Sequence, residues 1–150
     1  MIAISRVDAE DRETFAALMD LSVLMAEEMA LVPVNPEKAA IKVHGTIEAG
    51  LAWIARRDTS IVGAIGLKEV PFDYGDDTFL LDSFLYVAAG ERFGEVGVKL
   101  MRAVRDHAED RHKILFIGVM NPTRRQKKTE LGLYLEVAGF LPFGHLTRIT

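Results

Sequence analysis

The stretch FLYVAAGERFGEVGVKLM, residues 84–101, joins the end of an apolar segment to the start of an amphipathic one. Its first residues predict a buried strand, and the apolar residues that recur every four positions after Gly94 predict a helix. The first turn of a helix leaves backbone N–H groups unpaired and carries partial positive charge, which favours a bound anion. Gly90, Gly94 and Gly97 would let a phosphate approach the backbone, and Arg92 adds a cationic side chain. A tight turn with a glycine kept for packing would have the same sequence.

Outward from this stretch, strand-like and helix-like segments alternate. The strand over 78–87, the helix over 95–110 and the apolar run over 113–120 form a βαβ unit, whose two strands should be parallel. The other segments are strands at 2–7, 51–57, 60–70 and 140–150, and helices after Asp8 (with a break near residue 20), after Asn35 and at 123–138. The order β-α-α-β-β-β-α-β-α-β predicts a single α/β (α+β) domain over residues 1–150.

Composition limits the class of protein. A chain of 150 residues makes one typical domain, and 49% hydrophobic residues are enough for a buried core. The net charge of −4 gives no general reason to bind nucleic acid or an anionic membrane. The absence of cysteine excludes disulfides, a thiolate metal site and a cysteine nucleophile. Since neither a signal peptide nor an apolar run of membrane length is visible, we expect a cytoplasmic protein without a bound metal.

Two nucleotide-binding motifs are absent from the sequence around the turn. There is no GxxxxGK[ST], and the glycines at 90, 94 and 97 do not have the GxGxxG spacing. The one basic cluster, TRRQKK at 123–128, is compatible both with contact to the phosphates of a nucleotide and with a solvated helix start.

The element order, with an anion-binding turn after the fourth strand, resembles the GNAT superfamily of N-acetyltransferases. In that family the turn has the form Arg/Gln-x-x-Gly-x-Gly/Ala, and its N–H groups hold the pyrophosphate of acetyl-CoA. RFGEVG at 92–97 fits this pattern at its first and last residues, and YLEVAGF at 134–140 resembles the family's helix that ends in Gly-Phe. The resemblance implies a mixed central sheet of about six to seven strands flanked by about four helices. It also implies acetyl-CoA as co-substrate and a set of cofactor-binding residues: Val87, Arg92, Phe93, Gly94, Glu95, Val96, Gly97 and Asn121.

Two positions depart from the family's pattern. Glu95 stands where the family has its first signature glycine, so its side chain must point away from the phosphates while its N–H stays available. The tyrosine that the family often uses as general acid would fall on Leu135, and Tyr134 lies one residue earlier, about 100° round a helix. Both roles of Tyr134, as general acid and as packing residue, therefore stay open.

Asp82 is the only acidic residue in the strand over 78–87, where its neighbours are Leu80, Leu81 and Phe84. If the carboxyl is buried among them, its pKa is raised, which suits a general base or a group that relays a proton through water. A carboxylate at a sheet edge, or one paired with an arginine, would have the same sequence.

The resemblance implies transfer of an acetyl group from acetyl-CoA to a primary amine by direct attack in a ternary complex, with a backbone N–H near Val87 polarising the carbonyl. The acceptor is expected to be a small-molecule amine or a peptide amine. Acids in the predicted loops hint at a cationic acceptor: Glu27, Glu28, Asp73, Asp76 and Asp77. The alternative is a protein of the same fold that binds CoA or a protein partner without transfer. A homodimer through the C-terminal strand stays open.

Overall fold

The computed structural model describes residues 1–29, 33–92, 94–118 and 139–140. Within this part, one five-stranded sheet carries three α-helices. In chain order the elements are β1 (Ile2–Arg6), α1 (Arg12–Met29), α2 (Pro36–Glu48), β2 (Ala52–Arg57), β3 (Ser60–Pro71), β4 (Thr78–Val87), a 3-10 turn (Ala89–Glu91), α3 (Glu95–Asp110) and β5 (Leu115–Phe116). The α/β class and the order of elements as far as the fifth strand agree with the prediction from sequence.

The strands lie in the sheet in the same order as in the chain. β1 to β4 pair antiparallel with their neighbours, whereas β4 and β5 pair parallel. α3 makes the connection between the two parallel strands, which confirms the predicted βαβ unit. The C-terminal end of β4 and the N-terminal end of α3 therefore lie at the same edge of the sheet.

Two apolar layers cover the two faces of the sheet. On one face α3 packs on the central strands, in a layer that includes Trp53, Ile65, Leu67, Leu80, Val96, Leu100, Met101 and Val104. On the other face α1 and α2 pack on the same strands, in a layer that includes Leu18, Val43, Ile47, Ile54, Ala64 and Phe84. Because the side chains of both layers are buried against one another, they fix the helices relative to the ends of the strands.

Gly63 of β3 allows α3 to lie close to the sheet. A Cβ at this position would be 2.8 Å from Val96 Cγ1 and 3.0 Å from the Tyr86 carbonyl oxygen, with Leu100 Cδ1 at 3.1 Å. Any side chain here would crowd the first turns of α3 against β3. The glycine thus sets the position of the helix N-terminus that the sequence singles out.

α1 differs from the prediction in two ways. The helix runs unbroken over Arg12–Met29, across residue 20, where a break was expected. Its first turn is capped by Asp11, whose Oδ1 accepts the Thr14 N–H at 3.0 Å, whereas Asp8 closes the preceding turn. Both aspartates are good caps, and the sequence alone does not choose between them.

The described part contains fewer elements than the six to seven strands and four helices predicted. It has five strands and three α-helices. The predicted helix over 123–138 and nearly all of the predicted strand over 140–150 lie outside the described residues.

Candidate active site

β4 and β5 diverge at Asp82. Their ladder ends at the pair Leu81 and Phe116, after only two residue pairs. The next available donor on the β5 side, the Gly118 N–H, bonds to Asp82 Oδ1 at 2.7 Å. The apolar run from residue 113 predicts a longer strand than β5, which has only two residues. The strand is short because the Asp82 carboxylate, and not a backbone carbonyl of β4, accepts the Gly118 N–H.

A β-bulge in β4 lies at the same point. Phe84 is opposite Gly66 and Asp82 is opposite Leu67, so Ser83 is an extra residue in β4. Bulges disturb the alternation of side chains and change the direction in which they point. Here the bulge accompanies an Asp82 carboxylate that reaches the opening between the two parallel strands.

In its C-terminal half, β4 has an edge on the β5 side that pairs with no strand of the described residues, here called the free edge. The Ala88 N–H donates to the Val62 carbonyl at 2.9 Å, which fixes the pairing at the end of β4. Since bonding and non-bonding residues alternate in an antiparallel pair, Leu85 and Val87 direct their backbone groups towards the opposite edge. Within the described residues no strand pairs with that edge beyond Leu81. The Val87 carbonyl accepts from Arg92 Nε, so an extended ligand could bond there to the Leu85 backbone and the Val87 N–H.

The N-terminus of α3 lies beyond the end of this edge. The helix begins at Glu95, and its N-cap is Gly94 with an extended backbone (φ −110°, ψ −161°). Glycine has no side chain to accept the first N–H groups of the helix, and within the described residues those of Glu95, Val96 and Gly97 have no side-chain cap. Val96 and Gly97 are buried, and the positive end of the helix dipole adds to the attraction for an anion.

The Glu95 side chain is directed along the outside of α3. Its Oε2 lies 3.3 Å from Nζ of Lys99, one turn further along the helix. The Glu95 carboxylate therefore points away from the N–H groups at the helix N-terminus, so it would not repel an anion bound to them.

Arg92 and Glu91 tie the turn to its surroundings. Arg92 Nε donates to the Val87 carbonyl at 3.0 Å, and its Nη2 bonds to Glu28 Oε2 at 2.5 Å. Glu91 accepts two hydrogen bonds from Arg57, at 2.8 and 2.9 Å. The guanidinium of Arg92 thus lies at the turn, as expected of a phosphate ligand, but its charge is paired with a carboxylate at the end of α1.

The Asp82 carboxyl is in an environment that disfavours its charge. Burial raises its pKa above the usual range of aspartic acid, while the Gly118 N–H, its own N–H and the charges of Lys42 and Lys68 act in the opposite direction. Burial also lowers the pKa of Lys42, and the neighbouring charge of Lys68 lowers it further. Asp82 therefore combines a raised affinity for a proton with two nearby cations.

A cavity of about 450 Å³ lies next to Ser83, where β3 extends past the beginning of β2, and Asp82 itself is not among its lining residues. Ser83, the bulge residue, forms part of its wall. The charged side chains that line it are four bases and one acid: Lys42, Lys68, Arg111, Lys113 and Glu69. This volume is in the range of sites for small molecules. The cavity thus adjoins the residue that follows the candidate base, and it shares with Asp82 the two lysines that act on its charge.

The structure brings most of the predicted site residues to one edge of the sheet. Val87, Arg92 and Gly94–Gly97 surround the turn, and Asp82 lies further down β4. Phe93, Asn121 and Tyr134 lie outside the described residues. Sequence reasoning missed Lys42, Lys68 and Ser83, because the packing of α2 brings Lys42 near Asp82 and the register of β3 with β4 brings Lys68 there.

Two searches of the described residues gave negative results. None of the helices there is long and apolar enough to cross a membrane. No group of three or more histidine, aspartate or glutamate side chains is arranged to hold a metal ion in that part of the chain.

The sequence was compared with family models and with curated proteins. The model of the acetyltransferase (GNAT) family matches residues 16–140, most of the chain. The search of curated proteins gave no match.

Comparison with solved structures gave matches over nearly the whole chain. An aminoglycoside acetyltransferase from an uncultured soil metagenomic sample, solved with sisomicin, has a TM-score of 0.73 at 13% identity, over 99% of this chain and 94% of that one. The acetyltransferase AAC(6')-Iy, solved with the bisubstrate analogue CoA-S-monomethyl-acetylneamine, has a TM-score of 0.72 at 12% identity, over 100% and 97%. A predicted acetyltransferase of Clostridium acetobutylicum, solved with acetyl-CoA, has a TM-score of 0.68 at 12% identity, over 100% and 96%. At these identities the likeness shows the fold.

Proposed function

The chain belongs to the acetyltransferase (GNAT) family, and we propose that it transfers an acetyl group from acetyl-CoA to a primary amine. One arrangement carries the proposal, an uncapped helix N-terminus beside the free edge of β4. A pyrophosphate matches the first of these features, because it supplies the acceptors that the helix N–H groups lack. The amide groups of an extended chain match the second, because they can pair with an open strand edge.

The residues present fit acetyl-CoA at this edge. The N–H groups of Glu95, Val96 and Gly97 would hold the pyrophosphate, because the Gly94 N-cap offers them no acceptor. Arg92 would add a charge-assisted bond to a phosphate. By resemblance to the family, Phe93 and Asn121 would also bind acetyl-CoA. The co-substrate supplies an acetyl group activated as a thioester.

Asp82 is the proposed general base, acting directly or through one water. Its carboxylate would take the proton that the amine loses as the new N–C bond forms and the C–S bond breaks. The raised pKa of Asp82 suits a group that must hold this proton. The Val87 N–H, on the free edge, would donate to the carbonyl oxygen, and Tyr134 would protonate the departing sulfur.

Acetyl-CoA at about one hundred times its Kd is expected to raise the Tm by about 5–10 °C, because it binds the folded state alone. Gly94→Asp should abolish this rise without lowering the Tm of the free protein. An aspartate at the N-cap supplies its own acceptor for the first N–H groups, and so competes with the phosphate while capping the helix. Thermal-shift titration of both proteins measures the effect.

The control is Gly75→Asp, which places the same charge on an exposed loop position with open space around it. Gly75→Asp should keep the full rise in Tm. A rise that survives Gly94→Asp, or its absence from the wild type, would contradict the assignment of the turn.

Glu28→Gln is expected to tighten acetyl-CoA binding by about two- to fivefold, the range for an exposed ion pair. The substitution removes the carboxylate that neutralises Arg92, so the guanidinium is freed for a phosphate. Calorimetric titration gives the Kd, and Glu27→Gln, on the neighbouring exposed residue, is the control. Weaker binding in Glu28→Gln would mean that Arg92 acts only as a structural tie.

Thiol release from acetyl-CoA in the presence of amines separates transfer from binding alone. Release that depends on an amine supports the enzyme. Acetyl-CoA binding without release for any amine would instead favour the alternative, a protein of this fold that binds CoA without transfer.

A further inference from the structure

The cavity next to Ser83 has the opposite charge to the protein as a whole. The chain carries a net charge of −4, yet four of the five formally charged side chains that line the cavity are basic. Of these, Lys113 bonds to Asp77, which leaves Lys42, Lys68 and Arg111 against Glu69. A ligand that enters this space meets a positive wall.

None of the acids that hinted at a cationic acceptor is among the residues that line this cavity. Glu28 pairs with Arg92 and Asp77 pairs with Lys113. Asp82 itself lies close enough to Lys42 and Lys68 for each lysine to act on its charge. The surroundings of the candidate base are therefore cationic, and a polycation would be repelled by them.

We propose that the acyl acceptor is a small amine that also carries a carboxylate, and that this cavity binds the carboxylate. The inference rests on the proposed function. The amine of such a molecule lies next to Asp82, while its carboxylate meets the ammonium groups of Lys42 and Lys68. Amino acids have this pairing of charges, and the volume of about 450 Å³ suits a molecule of that size.

The test compares acceptors that differ only in a carboxylate, namely α-amino acids and the matching α-carboxamides. Initial rates of thiol release should give a kcat/KM higher for the acid by about ten- to a hundredfold, the contribution of a charge-assisted hydrogen bond. The lower amine pKa of the amide favours the amide, so a preference for the acid is a conservative result. Equal rates, or faster reaction of the amide, would overturn the inference and leave the proposed function standing.

Variants assign the preference to the cavity. Lys42→Met and Lys68→Met keep the length of the side chain and remove its charge, and each should move the acid-to-amide ratio towards one. Lys38→Met, one turn earlier on α2 and outside the cavity lining, should leave the ratio unchanged. The ratio within one variant cancels any effect of the lysines on Asp82. A ratio unchanged in both Lys42→Met and Lys68→Met would overturn the assignment.

A binding measurement covers the case in which no amine reacts. N-acetyl amino acids should raise the Tm of the CoA-saturated protein, and N-acetyl amino amides should not. Equal shifts, or none, would overturn the carboxylate site. The acetyl-CoA shift and thiol release test the proposed function separately, so the two failures are distinguishable.

Discussion

Asp82→Asn is expected to lower kcat for acetyl transfer by about 10²–10⁴-fold, the usual contribution of a general base. The asparagine amide cannot take the proton of the attacking amine. It keeps an oxygen that can accept the Gly118 N–H, so the divergence of β4 and β5 should persist. The acetyl-CoA-induced rise in Tm should be unchanged, because the turn at Gly94 is not altered. Thiol release and thermal-shift titration on the same samples give both results.

The control for this substitution is Asp76→Asn, on an exposed loop residue between β3 and β4. It should leave kcat and Tm unaltered. If Asp82→Asn kept most of its activity, Asp82 would not be the general base. Its role would then be limited to separating β4 from β5.

The raised pKa of Asp82 predicts how kcat/KM should depend on pH. Burial raises the pKa of Asp82, and the base works only when deprotonated, so kcat/KM should rise with pH through a value above the ordinary range of aspartic acid. In Asp82→Asn this rise of kcat/KM with pH should be absent. A raised folded-state pKa also means that the contribution of this group to stability is largest below its unfolded pKa and is lost as pH rises through the folded pKa. The Tm of Asp82→Asn at pH 8 should therefore be no lower than that of the wild type.

Gly63→Val is expected to lower the free energy of unfolding by about 2–3 kcal/mol, as overpacking of a dense core does. The Cβ alone would be 2.8 Å from Val96 Cγ1 and 3.1 Å from Leu100 Cδ1, both on α3, and 3.0 Å from a backbone carbonyl of β4, so one side-chain rotation cannot relieve the crowding. Since α3 carries the N–H groups of the turn, acetyl-CoA should also bind more weakly. Urea denaturation and calorimetric titration measure the two effects.

Gly75→Val tests whether replacing any glycine by valine would lower the free energy of unfolding to the same extent. Gly75 lies in the loop before β4, with no atom within 4 Å of an added Cβ. Its free energy of unfolding should change by less than about 0.5 kcal/mol. If Gly63→Val were equally mild, α3 would not be held against the sheet as described.

The parts of the fold that the sequence predicts well have local causes. β4 spans Thr78–Val87 and α3 spans Glu95–Asp110, the ranges that apolar spacing and the glycines between them indicate. The N-cap of α2 is Asn35, followed by Pro36 at the first helical position, and both preferences belong to single residues. The turn before α3 was predicted for the same reason, because its glycines and arginine are adjacent in sequence.

The parts that sequence reasoning missed depend on partners distant in the chain. The length of β5 depends on where β4 turns away from it, and the bulge at Ser83 appears only in the register with β3. Glu28 and Arg92 are separated by 64 positions, so no local pattern announces their pairing. Lys42 and Lys68 come from a helix and a strand, and only packing places both near Asp82.

The hydrogen bond between Gly118 and Asp82 has a consequence for the divergence of relatives. One carboxylate both ends a β-ladder and is the proposed base, so two selective constraints act on a single position. If a descendant lost the chemistry, the chain would still need an acceptor for the Gly118 N–H, and asparagine would be tolerated where leucine would not. An inactive descendant would thus keep the shape of an active one, and the identity of one side-chain atom would separate them.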